Sequence, residues 1–185
     1  MTEPARPAAG DRPIAERIRE LDAVVGRRRF VEVCVDLLGG APRTAYVPEL
    51  RYLTGHTWDP GDPVLDASVW KDYWLRTWGA RGLLHCWGDA ATSAVVAGLR
   101  DEHYRPAEMC LKVAARHDVA GAGPGAAALT RHPLPRVRAA AARALAVVGD
   151  TEHVAAVERL LDDPEESVRV AAARARTAMA RRLEG

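Results

Sequence analysis

Four segments of the chain superimpose on a period of 31 residues, and that repeat governs what the sequence can build. Leu75, Pro106, Val137 and Val168 share one register, and Trp78, Met109, Ala140 and Ala171 share another. Arg81, Lys112, Arg143 and Arg174 form a third column. A period between about 20 and 50 residues marks a stack of like supersecondary units. Each unit is too small to bury its own apolar face, so neighbours supply core to one another.

The C-terminal segments show the local grammar. Val137, Ala141, Ala142, Leu145 and Val148 recur at three- and four-residue steps, an apolar stripe at helical period. The stripe stops at Gly149, a helix-ending residue. Asp150 or Thr151 then caps a second helix that carries Val154, Val157, Leu160 and Leu161 on one face. Next, Asp163-Pro164-Glu165-Glu166 offers an N-cap acceptor, a proline at the first helical position and acids in the first turn. Val168, Ala171, Ala172 and Ala175 follow as the next stripe. The unit is helix, tight turn, helix, with small alanines that let stacked helices approach closely. Reading back gives helix pairs over 72–86 with 90–99 and 104–116 with 124–131, the latter two separated by a loop at 121–125. The final helix covers 165–183.

Residues 1–65 do not keep the register. Helices are expected over 14–25 and 28–38, with Gly26 and Gly39-Gly40 as stops, and a third over 44–54 despite Pro48. Residues 55–63, GHTWDPGDP, read as a turn-rich connector. The expectation is one continuous domain, with a leader and helical cap over 1–65 and four 31-residue repeats over 66–185. The opening MTEPARPAAGDRP has no apolar core of a signal peptide and reads as a disordered leader.

Composition narrows the function classes. With 26 basic and 25 acidic residues the net charge is +1, which excludes binding a polyanion by bulk charge but leaves room for a local basic face. Lys71 and Lys112 are the only lysines, so the arginine excess reflects GC-rich, bacterial-type coding and carries little functional weight. No apolar run reaches about 18 residues, so no membrane span is expected. Cys34, Cys86 and Cys110 lack CxxC spacing and sit in apolar helical contexts, as buried reduced thiols of a cytoplasmic protein do. His85 and Cys86 are adjacent and point about 100° apart on a helix, which suits one metal poorly. Neither a metal nor a cofactor is expected.

The run from Arg136-Val137-Arg138 through Ala139 to Ala142, Arg143-Ala144-Leu145, then Gly149-Asp150 and Leu160-Leu161-Asp162-Asp163-Pro164, closely resembles a HEAT-like repeat of the type named after phycobiliprotein lyases. The resemblance is strongest over 134–180, looser over 70–133 and weak before 66. Trp78-Gly79 and Met109-Cys110 stand where the family prefers small residues, and Pro106 replaces its usual valine. The resemblance implies an all-α fold: a right-handed α-α superhelix, a HEAT-like or ARM-type solenoid, with an irregular N-terminal helical cap. Members of this class mostly present a concave surface to a partner; a few are bilin lyases, and a HEAT-like branch excises alkylated bases from DNA. It also implies which positions line the groove. These are Tyr73, Trp74, Thr77, Trp78 and Arg81, then Tyr104, Arg105, Glu108, Met109 and Lys112. Pro135, Arg136, Ala139, Ala140 and Arg143 follow, and Glu166, Ser167, Val170, Ala171 and Arg174 complete the set.

The residues themselves leave two readings of each cluster. Trp70, Tyr73, Trp74, Trp78 and Trp87 lie close together in sequence, and Trp70, Trp74 and Trp78 share a helix face. They either pack between the cap and the first repeat or anchor a ligand, with Trp70 under the cap and Trp74 or Trp78 reaching the groove. The column Arg81, Lys112, Arg143 and Arg174 is either a solvated ladder paired with acids such as Glu108 and Glu166, or a track for an acidic segment or nucleic-acid backbone. Arg138 and Arg169 read as structural, bonding turn acids between repeats, and Arg27-Arg28-Arg29 as a solvated helix start, with a basic contact patch as the alternative. His85, His103, His117 and Cys110 converge on no catalytic spacing. The expectation is a non-catalytic cytoplasmic scaffold for an acidic protein or peptide with an apolar anchor. The alternative is a DNA-binding or base-repair module of the HEAT-like glycosylase type. Asp72, Tyr73, Trp74, Trp78 and Arg81 supply its residue types, and the near-zero net charge weighs against it.

Overall fold

A computed structural model describes residues 12–184, so residues 1–11 of the expected leader lie outside the described part. Among the described residues there are ten α-helices and no strand. The chain forms two compact units that divide between Ala94 and Val95, inside helix α5 (Thr92–Gly98).

The first unit contains α1 (Ile14–Val25), α2 (Arg27–Leu38), α3 (Val47–Thr54) and α4 (Tyr73–His85). The expected helix over 44–54 is two pieces: a 3-10 turn at Arg43–Ala45, then α3 with Pro48 in its first turn. A proline lacks the N–H that an interior helical position must donate, so it marks where the helix begins. Ile18, Leu21, Phe30, Leu37, Leu50 and Leu83 form the dry centre. The packing of α2 on α4 depends on two glycines. A Cβ on Gly79 would sit 2.6 Å from the Cys34 carbonyl oxygen, and one on Gly82 would sit 2.5 Å from the Cys34 sulfur. Two carboxylate- and guanidinium-centred knots hold the connector after α3. Asp62 accepts from Thr57 Oγ1 and the Val64 N–H, both at 2.9 Å. Arg43 donates to the carbonyls of Val64 and Trp70 and to Asp72, each at 2.6 Å.

The second unit contains α6 (Tyr104–His117), α7 (Gly123–Leu129), α8 (Pro135–Val148), α9 (Val154–Glu158) and α10 (Glu166–Leu183). α8 packs between α6 and α10, but α7 lies on α8 and α9 on α10, so each short helix packs on the helix that follows it and not on the preceding helix with which the sequence paired it. Pro106 is the third residue of α6, in the turn whose N–H groups have no helical partner, so it is accommodated. The register columns land as units: Pro106, Val137 and Val168 are all buried. α7 begins at Gly123, so the expected loop at 121–125 is shorter than its composition implies. Asp163 does not serve as the N-cap of α10, which starts at Glu166 with Glu165 as cap. Instead its carboxylate takes both arms of Arg138, at 2.7 and 2.8 Å, and the Glu165 N–H at 3.0 Å. Arg138 also donates to the carbonyls of His132 and Pro133, and Arg169 repeats the pattern on the carbonyls of Asp163 and Pro164. Cys34, Cys86 and Cys110 are buried and free.

Candidate functional site

In the first unit the aromatic residues gather into one cluster. The ring centroids of Trp70, Trp74 and Trp78 lie 5.6 to 6.1 Å apart. Trp58 meets Trp78 edge-on at 6.0 Å, His56 meets Trp70 at 5.1 Å, and Tyr73 lies 5.5 Å from Trp74. Trp78 is only 4% exposed and Trp58 3%, whereas Trp70, Tyr73 and Trp74 are half-buried. Trp78 is therefore core, and the aromatic surface offered to solvent belongs to Tyr73, Trp74 and Trp70. Thr77 is buried, its hydroxyl donating to the Tyr73 carbonyl at 2.8 Å.

Trp58 was not among the sequence candidates, because a tryptophan inside GHTWDPGDP reads as part of a turn. It occupies the left-handed region at φ 58°, unusual for a bulky residue, and its indole N–H donates to Thr54 Oγ1 at 3.0 Å. Burial in the cluster holds it there.

Arg81 departs from its column. Its guanidinium donates to the Leu53 carbonyl near the C-terminal end of α3, its Nε has no hydrogen-bond partner, and burial lowers its pKa. Its register mates Lys112, Arg143 and Arg174 are exposed.

The second unit brings five of the named residues together. The Tyr104 ring has the Arg105 guanidinium 5.3 Å and the Arg136 guanidinium 5.8 Å from its centroid, with His103 stacked at 4.8 Å. Arg136 also reaches Glu108 at 2.7 Å, and Lys112 reaches the same carboxylate at 3.0 Å. Burial pushes the Glu108 pKa up, but hydrogen bonds from Arg136 and Lys112 outweigh it and leave the group below its ordinary value. One buried carboxylate thus offsets two cations, while Arg105 stays on the aromatic face. Met109 is half-buried. Arg143 on α8 and Arg174 on α10 are exposed and make no ion pair among the described residues.

Two other clusters have local explanations. Asp150, Glu152 and His153 bring ligand-type atoms within 4.8 Å of one another. There Asp150 and His153 form a capping box, the Asp150 N–H donating to His153 Nδ1 at 2.9 Å, which is helix-start chemistry. Arg27, Arg28 and Arg29 line a depression of about 870 Å³ on the first unit. Arg27 pairs with Asp22, and Arg28 and Arg29 with Glu32, so their charge is largely answered.

Paired helices that recur on a fixed register and share a continuous core define a helical-repeat protein. Residues 123–180 match the family model for HEAT repeats, and that stretch is HEAT-like. No curated protein matches the chain. Among the described residues, no helix is long and apolar enough to cross a membrane.

Proposed function

We propose that the chain is a non-catalytic HEAT-repeat scaffold of the phycobiliprotein-lyase type, with repeats over 66–185, that binds an acidic protein segment in the cytoplasm through its groove. The observation that supports this reading most is the second unit's combination of an aromatic platform and unanswered cations. Arg105 and Arg136 both lie by the Tyr104 ring, and Arg143 and Arg174 of the cationic column make no ion pair among the described residues. An apolar side chain seated on Tyr104 and carboxylates along the arginines is the ligand this chemistry fits, since Tyr and Arg make strong interface anchors. Tyr73 and Trp74 offer a further aromatic surface in the first unit.

Titration with fluorescent acidic peptides carrying one leucine or tryptophan tests the reading. Tyr104→Ala should weaken binding by about 2 kcal/mol. Arg143→Ala should cost about 0.5–1 kcal/mol, an effect that fades with added salt. The rival DNA-acting module predicts duplex binding at low salt that falls steeply as salt rises. Such duplex binding, together with indifference to every acidic peptide, overturns the proposal.

A further inference from the structure

Two arginines one repeat apart share a tether and differ in what their forks hold. Arg138 Nη1 donates to the carbonyls of His132 and Pro133 at 3.0 and 2.9 Å, and Arg169 Nη1 donates to those of Asp163 and Pro164 at 2.7 and 2.9 Å. A planar guanidinium tethered through Nη1 keeps Nε and Nη2 as a fork on its other edge. In Arg138 that fork closes on Asp163, the acid of the next repeat's leading turn, at 2.7 and 2.8 Å. In Arg169 neither Nε nor Nη2 has a partner among the described residues. The flank below each arginine repeats the contrast. On α8 it runs through Ala142, Leu145 and Gly149, all buried. Its far end lies against α10: Arg182 donates to the Gly149 carbonyl, and a Cβ on Gly149 would meet Met179 Cε at 3.0 Å. One helix, led by an aspartate turn, thus covers that flank from Arg138 to Gly149. The same positions on α10 are Ala173, Arg176 and Ala180, all exposed.

We infer that the Arg169 fork is a carboxylate-binding site, filled by an aspartate in the leading turn of a helix that another protein lays along α10. Arg138 shows what such a fork takes, since the two arginines share register and tether. A bidentate guanidinium–carboxylate pair is among the stronger polar contacts, and the tether holds this fork in place before any ligand arrives. Arg176, two turns on from Arg169, adds a second cation to the flank, and the small Ala173 and Ala180 let a helix axis approach to about 8–10 Å. A second copy brings no free aspartate turn. The positions in register with Asp163 are Asp101, which is already engaged, and His132, whose Nδ1 accepts the Leu134 N–H. The site is separate from the Tyr104 platform, so it stands or falls independently of that reading.

Fluorescence anisotropy with a labelled synthetic peptide of residues 160–183 tests the inference, because that segment carries the Asp163 turn and the helix that α8 accepts. The expected result is saturable binding to the full chain, about tenfold weaker for an Asp163→Asn peptide, which lacks the charge the fork pairs with. Arg169→Ala in the protein should bring the two peptides level. Ala173→Glu should weaken the parent peptide about tenfold as well, since it sets a carboxylate one turn from Arg169 and fills the fork from within. Ala173 is exposed, so that variant should fold, and far-UV circular dichroism checks it. Side-chain NMR of the unaltered chain reads the fork directly: the Arg169 Nε–H signal should shift on adding peptide while that of Arg138 stays. Absence of saturable binding overturns the inference. So does equal binding of the parent and Asp163→Asn peptides, or an Arg169 signal indifferent to saturating peptide. A chain that sediments as a dimer which the peptide dissociates also overturns it, since a second copy would then hold the edge.

Discussion

Arg138 does more for the second unit than its place on the surface of a helix implies. It gives both arms to Asp163 and also bonds two carbonyls of the preceding turn, and the pair is largely dry, with side-chain exposures of 13% and 6%. Arg138→Ala should therefore destabilise the protein by about 2–3 kcal/mol in urea unfolding, since it strands a buried carboxylate. Arg138→Lys should recover only part of that, because an ammonium cannot match the fork. Trp78 and Trp74, four residues apart, should separate cleanly. Trp78→Ala removes a buried ring and should cost about 3–5 kcal/mol of stability. Trp74→Ala, half-exposed, should cost clearly less on a thermal melt run beside the same ligand titration. The tie of Arg138 to a turn acid was legible in the sequence, because a repeat needs its turns tied, whereas Arg169, expected to bond a turn acid too, bonds the carbonyls of Asp163 and Pro164 instead. The inward turn of Arg81 was not: register gives a residue's position on a helix but not the open carbonyl at the end of α3 that its side chain reaches. Trp58 was illegible for a similar reason, since only long-range burial makes a left-handed tryptophan tolerable.

Helix boundaries were largely legible where proline and glycine punctuate the chain. The expected helix over 14–25 is α1 at those bounds, and Gly149 ends α8 as anticipated. The reason for that glycine was not visible in advance. Its backbone is extended at φ −82°, and a Cβ there would meet the Leu145 carbonyl oxygen at 2.5 Å and Met179 Cε at 3.0 Å. Close approach, not a left-handed turn, is what demands it. The same logic makes a strong test of the α2–α4 pairing. Alanine normally stabilises a helix by about 1 kcal/mol over glycine. Gly79→Ala should instead destabilise by about 1–3 kcal/mol, because the methyl meets the backbone of α2. A neutral or raised urea midpoint would mean that α2 and α4 do not pack this closely in solution. The sequence could not show this contact, because Trp78-Gly79 departs from the small-residue pattern of the later repeats.

Across the molecule, near-neutral net charge coexists with carboxylates held firmly in their ionised form. The Val64 N–H keeps Asp62 below its ordinary pKa, the Arg138 hydrogen bond does so for Asp163, and Arg136 and Lys112 do so for Glu108. A depressed folded-state value means that each contributes stability at neutral pH, which begins to fade below the unfolded value near about 4 and is lost as pH falls through the folded one. Melting temperature should therefore stay flat from neutrality to about pH 5 and drop below about pH 4, with the drop reduced in Asp163→Asn. All three thiols should resist alkylation in the native state, since burial raises the pKa of each and a thiol reacts as its thiolate. The aromatic clustering has an optical consequence. The five tryptophans, Trp58, Trp70, Trp74, Trp78 and Trp87, all precede Ala94, so the second unit is dark to indole emission. Excitation at the red edge of the absorption band reports the first unit alone. Four indoles in contact exchange excitation among themselves, so the folded unit's steady-state anisotropy should be low at shorter excitation wavelengths and should recover at the red edge, where transfer between like rings fails.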